Sequence, residues 1–126
     1  MSFTSEDIKN LNTSWPMPSI KKNIAIIGAG GIVSEAHLPA YKKAGYNVIG
    51  IYDPIMEKAN KCASQFNIEK VYKNLDQVFN QKDIIFDIAV PPGVLLDIVK
   101  KIPNNSICQL QKPLGNSLEE AKEIKK

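Results

Sequence analysis

Two groups of residues have the types and spacing that ligand chemistry needs. The first is Gly28-Ala29-Gly30-Gly31-Ile32-Val33, which follows the apolar run Ile24-Ala25-Ile26-Ile27 without a break. A Gly-x-Gly-x-x-small pattern between a strand and a helix makes a phosphate cradle. Gly28 permits a tight turn, and Gly30 leaves no Cβ between the backbone and a pyrophosphate. The helix that starts at Gly31, Ile32 and Val33 offers unpaired N–H groups and a favourable dipole. Val33 stands in the third glycine position, where a larger side chain spaces helix from strand. The second group is Asp53, twenty residues beyond Val33 at the end of another apolar run. A carboxylate there accepts hydrogen bonds from the adenosine ribose and repels a 2′-phosphate, or it caps a helix begun by Pro54; the two roles are compatible. Both groups point to a dinucleotide, NAD in preference to NADP. The only histidine, His37, lies two residues before Pro39. Pro39 cannot donate to the carbonyl four residues back, so the first helix is expected to break and restart with Pro39 in its first turn. His37 caps or packs at that break, or faces the cofactor.

Short apolar runs alternating with longer amphipathic stretches are needed to position these groups, and from Lys22 onward the chain has that form. It is the sign of βαβ units, so the fold class is α/β, a doubly wound parallel sheet of Rossmann type. Strands are expected at 24–27, 48–52, 71–72, 84–90 and 106–110, their β-branched character suiting burial under helices on both faces. Gly45 closes the first helix and Pro54 opens the second. Asn74 with Gln77, and Ser117 with Glu120, form capping patterns. A further helix spans 92–101 before Pro103, and the last runs to Lys126. Right-handed crossovers place the first strand centrally and the fifth near one edge. Residues 1–20 show no sustained period, and Trp15-Pro16-Met17-Pro18 bars a helix, so this stretch reads as an extended arm before a domain at 21–126.

Composition narrows the partners. A chain of 126 residues, 44% hydrophobic and 23% charged, suits one globular domain. The net charge of +3 is small and its lysines are dispersed, which argues against nucleic acid. No arginine is present, so phosphate recognition falls mainly to backbone amides. No apolar run approaches the ~20 residues that span a bilayer, and no secretory signal opens the chain, so no membrane partner and a cytoplasmic location are expected. Cys62 and Cys108 lie far apart without a CxxC or a second histidine; they are expected to be reduced, buried thiols, and no metal site is indicated.

Five blocks together are more specific than the glycine loop: Ile26 to Val33, His37-Leu38-Pro39-Ala40, Asp53, Asp87-Ile88-Ala89-Val90-Pro91-Pro92, and Gln111-Lys112-Pro113-Leu114. In order and spacing they resemble the N-terminal domain of the Gfo/Idh/MocA oxidoreductases, over about Lys22 to Lys126. The resemblance implies that Val90, Pro91 and Pro92 lie beside the cofactor and that Lys112 reaches the nicotinamide and substrate region as the catalytic candidate. A lysine there polarises a substrate hydroxyl or holds a cofactor ribose; the plainer alternative is a solvent-facing lysine before a proline turn. Two positions depart from the family pattern: Gln111 replaces the usual glutamate, and Leu95 stands where many members carry histidine or asparagine.

The resemblance implies hydride transfer between NAD and a hydroxyl or carbonyl carbon of a sugar, cyclitol or related polyol, with a small-molecule substrate bound in the full-length protein. The rival is a non-enzymatic dinucleotide-binding module or redox sensor. Members of the family carry a second α/β domain that forms the substrate pocket, and its residues are not found in this sequence. The chain alone is therefore expected to be inactive. Its fifth strand is expected to present free backbone groups, which favours self-association into a homo-oligomer.

Overall fold

In the computed structural model residues 4–126 are described, and all the strands lie in one parallel sheet. The chain runs α1 (Ser5–Lys9), β1 (Asn23–Ile27), a π-turn (Val33–His37) leading into α2 (Leu38–Ala44), β2 (Val48–Tyr52), α3 (Met56–Phe66) and β3 (Lys70–Val71). It continues through α4 (Leu75–Phe79), β4 (Ile84–Ile88), α5 (Pro92–Val99), β5 (Ile107–Leu110) and α6 (Leu118–Lys125). The sheet order is β3-β2-β1-β4-β5, with β1 central and β5 at one edge. This is the Rossmann arrangement expected from the alternation of runs.

Strand alternation divides the core in two. Ile24 and Ile26 of β1 pack with Val33, Leu38, Ile51 and Ala59 under the α2 and α3 side. Ala25 and Ile27 pack with Tyr72, Phe79, Phe86 and Leu95 under the side of α4, α5 and α6. A strand buried on both faces has no polar alternation, which is why β1 reads as a continuous apolar run from Ile24 and β4 as one interrupted only by Asp87.

Helix ends follow the local chemistry. Gly45 closes α2 in the left-handed region with φ 70. Asn74 accepts from the Gln77 N–H at 2.9 Å, and Gln77 Oε1 accepts from Lys73 N–H at 2.9 Å. Ser117 Oγ accepts from the Glu120 N–H at 3.2 Å. Pro39 does not break the first helix outright, but a π-turn interrupts it and α2 restarts with Pro39 in its first turn, as expected. The Leu38 N–H reaches back to Val33 O, and the extra residue in that turn carries the helix past a position with no donor.

Several expectations are corrected. The arm is not wholly extended: Thr4 and Asp7 form a reciprocal capping box that supports α1, a helix with no buried residue. Pro54 does not open the second helix, because Ile55 is the N-cap of α3 and Pro54 remains in the preceding turn. β4 stops at Ile88 instead of Val90, close to prolines that hold the chain extended and cannot donate. β5 starts at Ile107 instead of Ser106, whose hydroxyl donates to Pro103 O at 2.6 Å. The third strand covers Lys70–Val71, with Tyr72 just beyond it donating its N–H to Ile51 O at 2.9 Å. Cys62 is buried, whereas Cys108 is only half-buried; both are free thiols. Among the described residues no helix is long and apolar enough to cross a membrane.

One core contact yields a stability test. A Cβ on Gly50 would fall 2.3 Å from the fully buried Tyr72 ring, whose hydroxyl has no hydrogen-bond partner among the described residues. Gly50→Ala should destabilise the chain by about 1–3 kcal/mol through overpacking. Tyr72→Phe removes an unsatisfied buried hydroxyl and should leave stability unchanged or raise it by about 1 kcal/mol. Urea midpoints measure both, and a clear loss in Tyr72→Phe would mean that the hydroxyl is hydrogen-bonded.

Candidate functional site

The loop after β1 is held from both sides. Gly28 N–H donates to Tyr52 O at 2.7 Å, and Ala89 N–H donates to Ile27 O at 2.8 Å. Gly28 has φ +107, and a Cβ there would lie 2.1 Å from Ala89 O, so both conformation and space require glycine. Gly30 differs: its φ is not in the left-handed region and no atom lies within 4 Å of where its Cβ would be. The fold itself does not demand glycine at 30. Helical turns begin at residue 31, and Gly30 O accepts from Val33 and Ser34 N–H at 3.1 and 3.2 Å. The N–H groups of Gly31 and Ile32 open this stretch and have no intrahelical acceptor. A phosphate approaching the open face of Gly30 would meet them.

Asp53, just past β2, binds this loop. Its Oδ2 accepts from the Ala29 N–H at 2.8 Å and its Oδ1 from the Ile55 N–H at 2.8 Å. The carboxylate therefore organises the turn before α3 and fixes the glycine loop, and each oxygen keeps a further lone pair for a ribose hydroxyl.

Gly28, Gly30, Asp53, Val90 and Pro91 line one groove of about 350 Å³, with Leu75, Val94 and Ile98 among its apolar walls. A concave, mostly apolar cleft with a few convergent polar groups at strand C-termini suits an adenosine. Other sequence-derived candidates lie elsewhere. Gly31 lines an adjoining depression with Ser34 and Lys61; Lys58 lines both. Ile32 is 46% exposed, and Val33 is buried in the core under α2, where it spaces helix from sheet. Pro92 is the first residue of α5. Lys112 is exposed and does not line the groove. Its segment lies beside the end of β4, where the Gln111 N–H donates to Ile88 O at 2.9 Å.

Sequence reasoning did not single out Asp87 as a site residue. This β4 carboxylate is 0% exposed; its Oδ2 accepts from the Tyr41 hydroxyl at 2.8 Å and lies 2.8 Å from His37 Nδ1. Its Oδ1 has no partner among the described residues. His37 Nε2 is 3.3 Å from Gln111 Nε2, so the histidine packs between β4 and the segment after β5. Burial first, and then the Asp87 charge, push the Tyr41 hydroxyl well above its usual range and keep it protonated. The available signal was a carboxylate inside the central apolar run Ile84-Ile85-Phe86-Asp87-Ile88, since a buried polar residue is the informative exception. Among the described residues no three His, Cys, Asp or Glu side chains are grouped to hold a metal.

Comparison with known proteins agrees with this geometry. An uncharacterized protein of Saccharomyces cerevisiae is 33% identical over 110 residues, which is 82% of this chain and 32% of that protein. The chain thus spans about a third of the length of this curated relative. The fold of this chain matches part of myo-inositol dehydrogenase from Lactobacillus casei, solved with NAD(H) and myo-inositol: TM-score 0.75 and 24% identity over 83% of this chain and 32% of that one. It also matches a 3-ketoreductase from Actinomadura kijaniata solved with TDP-benzene and NADP: TM-score 0.72 and 17% identity over 83% of this chain and 34% of that one. The family model for the Gfo/Idh/MocA oxidoreductase family, NAD-binding Rossmann fold, matches residues 22–126, and the chain belongs to that family.

Proposed function

We propose that the chain is the cofactor-binding domain of an NAD-dependent dehydrogenase that moves hydride between the nicotinamide and a hydroxyl or carbonyl carbon of a sugar, cyclitol or related polyol. The observation that carries the nucleotide part is the contrast within the glycine loop: the fold demands Gly28, whereas Gly30 faces open space beside the groove. The bound nicotinamide would supply or accept the hydride. Asp53 would accept from the adenosine ribose while its charge disfavours a 2′-phosphate, and Lys112 would act at the nicotinamide side, on the substrate hydroxyl or a ribose. Myo-inositol in the Lactobacillus casei enzyme supports the substrate class. The alternative cofactor is NADP: the Actinomadura kijaniata enzyme was solved with it, and Lys58 lines the same groove as Asp53.

Three outcomes test this reading. Gly30→Ala should leave the thermal midpoint unchanged but weaken NAD binding roughly tenfold by obstructing the pyrophosphate, whereas Gly28→Ala should lower stability by about 1–3 kcal/mol. Equal stability losses in both variants would mean that Gly30 is structural. Asp53→Ala should weaken NAD by about ten- to hundredfold, the value of hydrogen bonds to a charged acceptor. Calorimetry that finds NADP bound more tightly than NAD by the unmutated chain would overturn the cofactor preference.

The third outcome concerns turnover. Holding the substrate carbon against the nicotinamide supplies up to about 7–11 kcal/mol of a barrier, and an open groove with Lys112 outside its lining does not provide it. The 126-residue chain should therefore gain thermal stability with NAD yet form no NADH from sugars or cyclitols. Turnover that disappears in Lys112→Ala would show the machinery to be present already; a full-length protein that binds NAD and reduces or oxidises nothing would favour the non-enzymatic module.

A further inference from the structure

The ring of His37, the only histidine in the chain, lies between Asp87 of β4 and Gln111 of the segment after β5. On one side is Asp87, fully buried in β4. A carboxylate only accepts, so the Nδ1 atom 2.8 Å from Oδ2 carries a proton. On the other side is Gln111, whose Nε2 lies 3.3 Å from His37 Nε2. The orientation of that amide is set by its other end, because Gln111 Oε1 accepts from the Lys112 N–H at 2.8 Å. An amide NH2 only donates, so His37 Nε2 must accept, and the ring is the neutral Nδ1–H tautomer. The hydrogen bonds then run in one direction: Lys112 N–H to Gln111, Gln111 to His37, His37 to Asp87.

We propose that His37 is a positioning residue for Lys112. By holding the Gln111 side chain that accepts the Lys112 amide, it sets where Lys112 leaves the sheet edge beside the dinucleotide groove. The proposal rests on the reading of Lys112 as a residue at the nicotinamide side. A simpler role, neutralising the buried Asp87 charge, accounts for the Nδ1 contact but not for the Gln111 arm, and Tyr41 from α2 already donates to the same Asp87 oxygen. The titratable groups facing the ring from its neighbours are Asp87 of β4 and Tyr41 of α2, the latter kept protonated by burial. From the segment after β5 the neighbour is the uncharged Gln111.

The experiment combines nitrogen-15 NMR with NAD binding by the 126-residue chain. In the unmutated chain at mildly alkaline pH the ring-nitrogen shifts should report the Nδ1–H tautomer; an Nε2–H tautomer would overturn the proposal. His37→Asn keeps a donor toward Asp87 but is too short to reach Gln111, and Gln111→Ala removes the arm directly if the first variant folds poorly. Either should speed hydrogen exchange at the Lys112 amide roughly tenfold while leaving the Ala89 amide unchanged. Either should also weaken NAD by roughly the factor seen in Lys112→Ala, with no further loss when the two are combined. Additive losses, or an unchanged Lys112 amide, would overturn the positioning role. If Lys112→Ala itself leaves NAD binding unchanged, the nicotinamide-side reading of Lys112 falls, and the amide exchange still decides whether His37 holds this segment.

Discussion

The ligand edge of this protein depends on how closely the backbone of Gly28 approaches the backbone of β4. With a carbonyl oxygen 2.1 Å from the place of a missing Cβ, the chain can leave β1 only as glycine and only at φ +107. That turn directs the next residues over the sheet end, where the Ala29 N–H meets the Asp53 carboxylate and the helical turns begin at residue 31. Backbone hydrogen bonds from Gly28 to Tyr52 and from Ala89 to Ile27 then hold three strand ends together. The groove forms at this junction: the loop gives it Gly28 and Gly30, the chain after β2 gives it Asp53, α3 gives it Lys58, and its apolar walls include Leu75, Val94 and Ile98.

Much of this was legible in the sequence, for definite physical reasons. Strands buried on both faces are apolar almost throughout, so β1, β2 and β4 announced themselves, β4 in spite of Asp87. The sheet order followed because right-handed crossovers leave few topologies. The tight turn at Gly28 and the pairing of Asp53 with the loop fall where the Gly-x-Gly pattern and the acid twenty residues beyond Val33 placed them. What escaped was set by tertiary contact or by weak local signals. The helix Ser5–Lys9 rests on a capping box with no apolar period to accompany it. The pairing of His37 with Asp87 and Gln111 joins residues 50 and 74 positions apart, and no local pattern encodes such a contact. Pro54 suits a first helical turn, but Ile55 keeps an extended backbone and becomes the N-cap of α3, with its N–H bound by Asp53 in the turn before the helix.

Asp87 shows how the fold handles a charge in its interior. Burying a carboxylate costs several kcal/mol unless donors replace water, and hydrogen bonds to a charged acceptor return about 1.5–3 kcal/mol each. Tyr41 and His37 supply two donors to one oxygen, both from the helical segment on the same face of the sheet. The helical segment after the glycine loop is thus fastened to β4 by polar contacts, and Leu38 and Val33 anchor it in the core. Loop and central strands are thus joined by backbone and side-chain hydrogen bonds on the side that a ligand at the glycine loop would meet.

The π-turn at Val33–His37 makes the length of this segment a fixed quantity. Each helical residue advances the side chains by about 100° around the axis. The extra residue lets 31–33 present loop and core contacts in one phase, while Leu38 and Tyr41 reach the core and Asp87 in another. Deleting a single residue between 33 and 37 would turn both halves out of register, with Pro39 rotated toward a new neighbour and Asp87 stripped of its donors. Insertions or deletions in the exposed stretch 11–20 face no such geometric lock. Length variation in natural or engineered versions of this chain should accordingly gather before β1 and be excluded from the turn that follows the glycine loop.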